Sequence, residues 1–165
     1  MPSDSVRKWR FARRGWVAVA CLFLVSGSSV GSRMYAAAQD LDGKIKSVLG
    51  ELNAESDPER RAQHALSLAD NAFAEAREAY QKGQIKAGDA SLDEMIKVLN
   101  VCVTSLDAGH KARHYKQAEL RVATLIRRLK SLVEDLSVND RGWAEYTARQ
   151  LDDIHDKLLS GVMKK

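Results

Sequence analysis

The fold of this chain is decided by two long helix-patterned runs with one short break between them, PERRAQHALSLADNAFAEAREAYQKGQIKAGDASLDEMIKVLNVCVTSLDA at residues 58–108. In both runs apolar residues recur alternately every three and four positions, the spacing that gives a helix one apolar face. Gly83 interrupts the pattern, and the break spans only residues 81–84. Because so short a connection turns the second helix back along the first, the sequence predicts an antiparallel helical hairpin.

The hairpin begins with a helix start signal, Ser56-Asp57-Pro58-Glu59. This signal combines a capping side chain, a proline at the first helical position and an early acid at the positive end of the helix dipole. We therefore expect helices at about 58–82 and 85–108. The same apolar spacing predicts a short first helix at about 40–54 and two more long helices at about 111–136 and 141–160.

The connections between the predicted helices are only two to five residues long. Short connections make sequential helices neighbours, so the expected fold class is all-α: an antiparallel up-down bundle of four long helices, with the short first helix packed across it. The predicted core face of the fifth helix consists of Trp143, Thr147, Leu151, Ile154 and Leu158. A tetratricopeptide hairpin is the rival architecture, but that repeat has a period of about 34 residues and no second copy follows at that period.

Residues 7–38 have the three parts of an export signal in the required order. A basic stretch is followed by an apolar stretch and then by a small-residue stretch that ends at Ala36-Ala37-Ala38. We expect cleavage after Ala38, with Ala36 three residues before it at the start of the site. The signal peptide is thus residues 1–38, and the mature protein is a single helical-bundle domain, residues 39–165.

Two alternatives to a cleaved general signal stay open. The segment could be kept as an anchor, although its apolar stretch is about half of the roughly 20 residues that a membrane-spanning helix needs. Arg13-Arg14 could direct the chain to the twin-arginine route, but the residues around the pair match that signal poorly. In each case the rest of the chain is expected to be exported, to the periplasm or the medium.

Removal of the signal changes the charge of the protein. The full chain has 26 basic and 22 acidic residues, and the signal contains six of the basic and one of the acidic residues, which leaves 20 against 21. The high pI therefore belongs to the signal and does not indicate nucleic-acid binding. Membrane contact is expected only through the signal during export.

The two cysteines are divided by the cleavage. Cys21 leaves with the signal, so Cys102 is a single free thiol and no intrachain disulfide can form. Cys102 falls on the apolar face of the third helix, where a buried, inert thiol is expected. A redox-sensitive thiol or an intermolecular disulfide is the alternative in an oxidising compartment.

Two histidine patterns have metal-ligand spacing. His110 and His114 are four residues apart at the start of the fourth helix, which would let both imidazoles meet one Zn²⁺, but a third ligand is missing locally. Asp152 and His155 have the spacing of a di-iron motif, whereas di-iron bundles use two Glu-x-x-His pairs and two further glutamates. We therefore predict no metal site and no cofactor, with His110 and His114 as the candidates if a metal binds.

The fourth helix carries many basic residues, namely Arg113, Lys116, Arg121, Arg127, Arg128 and Lys130. Arg113, Lys116, Arg127 and Lys130 lie close to one helical face, which could dock anionic lipid, cell-wall polymer or an acidic partner. The favoured interpretation is a solvated face whose charges pair with neighbouring helices.

Alanines form a nearly smooth face on the second helix, at Ala62, Ala65, Ala69, Ala72, Ala76 and Ala79. Such a face allows close packing against another helix, or it leaves room for a ligand between helices. The aromatics that could line such a pocket are Tyr80, Tyr115, Trp143 and Tyr146. Each of them also fits a core position with its polar group at the edge.

The region from Tyr115 to Met163 resembles small exported helical-bundle proteins of bacteria. The segments that carry this resemblance are Leu125-Ile126-Arg127-Arg128-Leu129 and Ile154-His155-Asp156-Lys157-Leu158-Leu159. The resemblance implies export and a helical bundle, and it implies no activity.

No nucleophile elbow, glycine-rich phosphate loop or other catalytic constellation occurs in the sequence, so we do not expect an enzyme. The expected function is an exported, non-catalytic interaction or assembly module of the cell envelope, whose partner is an envelope protein. The alternative is a helical bundle that binds a small ligand or a metal. The expected oligomeric state is a monomer or a weak homo-oligomer.

Overall fold

The computed structural model describes residues 43–109 and 111–163. The predicted signal with its cleavage site at Ala36 and Ala38 lies outside these residues, as do Cys21 and His110. Five helices and no strand occur in the described ranges, so the predicted all-α bundle is confirmed at the level of fold class. They are α1 at 43–54, α2 Pro58–Gln81, α3 Ile85–Gly109, α4 Ala112–Asp135 and α5 Gly142–Met163.

The α2 helix begins and ends where its local sequence signals predict. Asp57 is the capping residue, and its side chain accepts a hydrogen bond from the Glu59 amide at 2.9 Å. At the other end Gly83 adopts a positive φ of 69°, which glycine reaches without steric cost. The amide of Gly83 bonds to the Tyr80 carbonyl and that of Gln84 to the Ala79 carbonyl, both at 2.9 Å. These two bonds form the glycine-dependent helix end that turns the chain into α3.

The core is built from the apolar faces of all five helices. All six alanines of the predicted smooth face on α2 are buried, so this face is a packing surface on which α3 lies close. The α1 helix adds Ile45 and Leu52 to the buried set. The largest fully buried side chains are Phe73, Leu52, Leu92, Met95, Leu99, Leu125, Leu129, Leu151 and Leu158.

The helices associate as two pairs. The α2 helix packs most extensively on α3, and α4 packs on α5; smaller contacts join α3 to α5 and α2 to α4. Sequential helices were predicted to be neighbours throughout, but α3 contacts α5 more extensively than it contacts α4. The Tyr115 hydroxyl nevertheless donates a hydrogen bond to Asp107 at 2.5 Å, which ties the start of α4 to the end of α3.

The predicted core face of α5 is wrong at one position. Trp143 is 41% exposed, and Ala144 occupies the buried position instead. Both residues fit the three-and-four spacing towards Thr147, so spacing alone does not separate them. The smaller Ala144 lets the helices approach, while the indole N–H of Trp143 needs a polar partner and finds it in Asp93 at 3.1 Å on the surface.

Candidate docking surface

Two of the basic residues of α4 hold that helix against α2. Arg121 Nη2 lies 2.7 Å from Asp70 Oδ2, and Arg128 Nη1 lies 3.6 Å from Asp70 Oδ1. The Arg128 guanidinium also lies over the Phe73 ring, 4.5 Å from its centroid. These two cations therefore pair with a neighbouring helix, as the favoured interpretation of the sequence predicts.

The other four cations face away from the core. Arg113 and Lys116 make no hydrogen bond or ion pair with any residue that the structure describes. Arg127 donates to the Thr124 hydroxyl of its own helix at 3.2 Å, and Lys130 Nζ lies 3.8 Å from Asp152 on α5. We call these four exposed residues, Arg113, Lys116, Arg127 and Lys130, the basic ridge.

The neighbouring surface of α5 carries three outward acids and one exposed cation, Arg149, whose guanidinium lies over the Tyr146 ring. Glu145, Asp152 and Asp156 point outward on this helix, and the Asp156 side chain is 81% exposed. Glu145 pairs with Arg141 one turn earlier, at 2.9 Å. We call these three acids the acidic ridge. A basic row and a mainly acidic row therefore run side by side along the outside of one helix pair.

A groove separates the two ridges. At its side His155 Nε2 lies 2.9 Å from Glu119 Oε1, which joins α5 to α4. Leu120 follows Glu119 on α4 and is 57% exposed, and Leu159 lies one turn after His155 on α5 and is 42% exposed. The groove has a volume of about 540 Å³ and is lined by Leu120, Ala123, Thr124, Ile126, Arg127, Asp152 and His155. We call the two ridges, the groove and the two leucines the outer face.

The candidate metal ligands do not converge in the described part of the chain. His114 Nε2 lies 3.0 Å from Glu59 Oε2, and Lys111 pairs with the same carboxylate. His155 is engaged by Glu119, while Asp152 lies towards Lys130. Across residues 43–109 and 111–163, no three side chains of histidine, cysteine, aspartate or glutamate are grouped to hold a metal ion.

The Cys102 thiol is enclosed by the core of α3. The residue is 1% exposed, and burial raises the pKa of its thiol to about 12, opposed by the positive charge of Arg121. Because the thiolate is the nucleophile, this environment disfavours reaction at Cys102.

The four aromatics proposed for a ligand pocket do not surround one cavity. Tyr80 and Tyr115 are buried, and each hydroxyl donates a 2.5 Å hydrogen bond to an aspartate on α3. Burial, followed by the bond to Asp107, raises the pKa of Tyr115 to about 12. Trp143 and Tyr146 are instead exposed, with ring centroids 5.4 Å apart. The aromatics therefore divide into two structural tyrosines and one surface pair.

Sequence reasoning found the four cations of the basic ridge but missed the rest of the outer face. Leu120 breaks the three-and-four spacing of α4, and that break is the signal that could have identified it as an exposed leucine. Glu119 gives no comparable signal, because its partner His155 lies 36 residues away in the sequence.

None of the helices in the described ranges is long and apolar enough to cross a membrane. No protein-family model, curated protein or solved structure matches the chain.

Proposed function

We propose that this chain is an exported, non-catalytic interaction or assembly module of the cell envelope, and that the outer face is its docking surface. The observation that carries the proposal is the exposure of Leu120 and Leu159 beside a ridge of which two cations, Arg113 and Lys116, pair with no described residue. Apolar side chains enclosed by a polar rim are the usual anatomy of a protein interface. Exposed leucines on this surface contribute little to the fold, so a partner that covers them accounts for their position.

The charges around the leucines support a protein partner. Arg113 and Lys116 are not paired with described residues, so they are available to carboxylates of another molecule. Arg121 and Arg128, by contrast, are engaged by Asp70. The six cations of α4 thus serve two purposes, and only the outward set belongs to the docking surface.

Export and the finer architecture are part of the same proposal. The basic, apolar and small-residue order of residues 7–38 supports a signal that is cleaved after Ala38.

We also infer that the four long helices alternate in direction. Glu59 and Pro58 lie beside Gly109, while Tyr80 lies beside Gly88, which supports opposite directions for α2 and α3. The contact of Tyr115 with Gly161 supports the same relation for α4 and α5.

Site-specific photo-crosslinking in the native host tests the docking surface. A photoreactive amino acid replaces Leu120 in the full-length chain, and Ser67, an exposed residue of α2, is the matched control position. We expect a discrete crosslinked protein band from position 120 that is absent from position 67. Equal crosslinking from both positions, or none from position 120, would overturn the assignment of the outer face.

Mass spectrometry of the exported chain tests the other part of the proposal. We expect a first residue at Gln39. Recovery of peptides from residues 1–38 in the exported material would show that the signal is retained, and a chain found only in the cytoplasm would contradict export.

A further inference from the structure

The outer face is complementary to itself. It presents a basic ridge on α4 and an acidic ridge on α5, side by side and separated by one groove. We infer that the partner of the outer face is a second copy of this chain, in a two-fold symmetric dimer in which the basic ridge of each copy contacts the acidic ridge of the other. This inference rests on the proposed function, because it names the partner of the surface assigned there.

Two contacts between α4 and α5 give the relative levels of the charges. The Tyr115 ring lies against Gly161, and Glu119 lies beside His155. Residue numbers therefore increase along α4 in the direction in which they decrease along α5. A helix advances about 1.5 Å per residue. Measured along the helix axes, the level of Lys116 is therefore within about one helical turn of the level of Asp156. Arg127 lies at a level between those of Glu145 and Asp152, close to that of Arg149, whose guanidinium is turned towards the Tyr146 ring.

A two-fold axis that runs along the groove, parallel to the two helices, brings these charges together. Rotation by half a turn about it places α4 of one copy over α5 of the other and keeps every residue at its level. Lys116 of each copy then faces Asp156 of the other, and Arg127 faces Glu145 and Asp152. Each contact occurs twice, as in any isologous interface. Leu120 and Leu159 come to lie near the axis, where the ridges exclude water from them.

The size of the outer face fits a stable dimer. The two helices have 24 and 22 residues, so they are about 35 Å long at about 1.5 Å per residue. With two helices roughly 10 Å wide each, the face covers about 700 Å² per copy, or about 1,400 Å² in total. Specific protein interfaces bury about 1,200–2,000 Å².

The acidic ridge argues against an anionic membrane as the occupant. A surface that approached the basic ridge over its whole width would also meet Glu145, Asp152 and Asp156, which anionic lipid repels. A second copy turns these same acids into attractive partners. Charge arrangement therefore favours self-association.

Charge reversal with complementation tests the dimer. One variant carries Lys116→Glu and Arg127→Glu, so that acids of the two copies face each other at these positions. The other variant carries Asp152→Lys and Asp156→Lys, so that cations of the two copies face each other there. Sedimentation velocity of the exported chain at low salt should show a dimer for the wild type. We expect each variant alone to dimerise at least about tenfold more weakly, because like charges then face each other. An equimolar mixture should recover the dimer, because each variant complements the other.

Controls separate this result from damage to the fold. Arg77→Glu with Lys86→Glu reverses two exposed charges away from the outer face and should leave the dimer unchanged. Circular dichroism of each variant should match the wild type, and recovery on mixing is itself possible only for folded variants. The dimer should also weaken as salt rises.

Three results of the sedimentation experiment would overturn the inference. They are a wild-type chain that stays monomeric, a dimer that the reversals do not weaken, and two variants that fail to recover on mixing. Crosslinking of a different envelope protein from position 120, with a monomeric chain, would remove the inference and leave the proposed function standing. Binding of a chain that stays monomeric to anionic vesicles would assign the outer face to a membrane and also overturn it. Loss of both crosslinking and dimer formation would remove the proposed function as well.

Discussion

The ring of Tyr80 lies flat against Gly88, and a Cβ atom on residue 88 would come within 2.9 Å of three ring carbons. The Tyr80 hydroxyl donates a 2.5 Å hydrogen bond to Asp89, so the ring is held at both its face and its tip. Tyr80 is the last buried residue of α2, and Gly88 is the first buried residue of α3. This contact closes the hairpin at the end next to Gly83.

Gly88→Ala should therefore destabilise the protein, although alanine has the higher helix propensity. The buried ring has to shift, and we expect a loss of about 1–3 kcal/mol in the free energy of unfolding, as for other overpacked cores. Gly50→Ala is the matched control, because nothing lies within 4 Å of a Cβ at that helical position. It should be neutral or stabilise by up to about 1 kcal/mol. Urea denaturation distinguishes the two, and equal effects would contradict the packing.

A buried carboxylate under α1 predicts how stability depends on pH. Glu94 is buried, its Oε2 atom has no hydrogen-bond partner, and Lys44 Nζ approaches to 3.8 Å. Burial raises the pKa of Glu94 above its usual value, opposed by the charge of Lys44. Between the unfolded and the raised folded pKa, the native state binds more protons than the unfolded state. The contribution of Glu94 to stability is therefore lost as pH rises through that interval.

Glu94→Gln should remove this loss, because glutamine keeps the shape and stays neutral. We expect the free energy of unfolding of the variant, relative to wild type, to increase from pH 4.5 towards pH 7. Denaturant curves at several pH values measure the difference. Glu51→Gln, at an exposed position of α1, is the control for the substitution itself. If the difference in the free energy of unfolding between wild type and Glu94→Gln did not change with pH, the expected effect of burial on Glu94 would be contradicted.

Removal of a positive charge from α4 should affect stability differently for the cations that pair with Asp70 and for those of the basic ridge. Arg121→Gln breaks a partly exposed pair with Asp70, and we expect a loss of about 0.5–1 kcal/mol in the free energy of unfolding. Lys116→Gln removes a charge that is not paired with any residue that the structure describes, so the free energy of unfolding should change by less than about 0.5 kcal/mol. Thermal denaturation compares the two variants, and an equal loss for both would contradict the division.

Local signals predict the helices well, and they predict less of how the helices meet. Asp57, Pro58 and Gly83 act on neighbouring residues, so the sequence alone places both ends of α2 within one residue of their observed positions. The preference of α3 for α5 over α4 depends on the path of the chain between helices, which apolar spacing does not encode. The same limit applies at the start of α5, where both Trp143 and Ala144 satisfy the spacing.

The outer face, too, follows from the sequence only in part. The face of the basic ridge follows from helical spacing within α4 alone, and the structure finds its four members exposed. The acidic ridge and the Glu119–His155 pair require the side-by-side placement of α4 and α5 and the register between them. Because residues far apart in sequence have to meet, no local pattern predicts the outer face as a whole.

The exposed leucines permit a test that separates docking from folding. Leu120 and Leu159 are already in contact with solvent in the single chain, so their replacement by serine removes little buried apolar surface. We expect Leu120→Ser with Leu159→Ser to change the free energy of unfolding of the isolated chain by less than about 1 kcal/mol. Leu129→Ser, at a fully buried position of the same helix, should cost about 3 kcal/mol or more.

In sedimentation velocity the double variant should remain monomeric where the wild type dimerises, because the apolar centre of the interface carries most of its binding energy. A double variant that unfolds as readily as Leu129→Ser would mean that the two leucines serve the fold, and one that still dimerises fully would place the interface elsewhere.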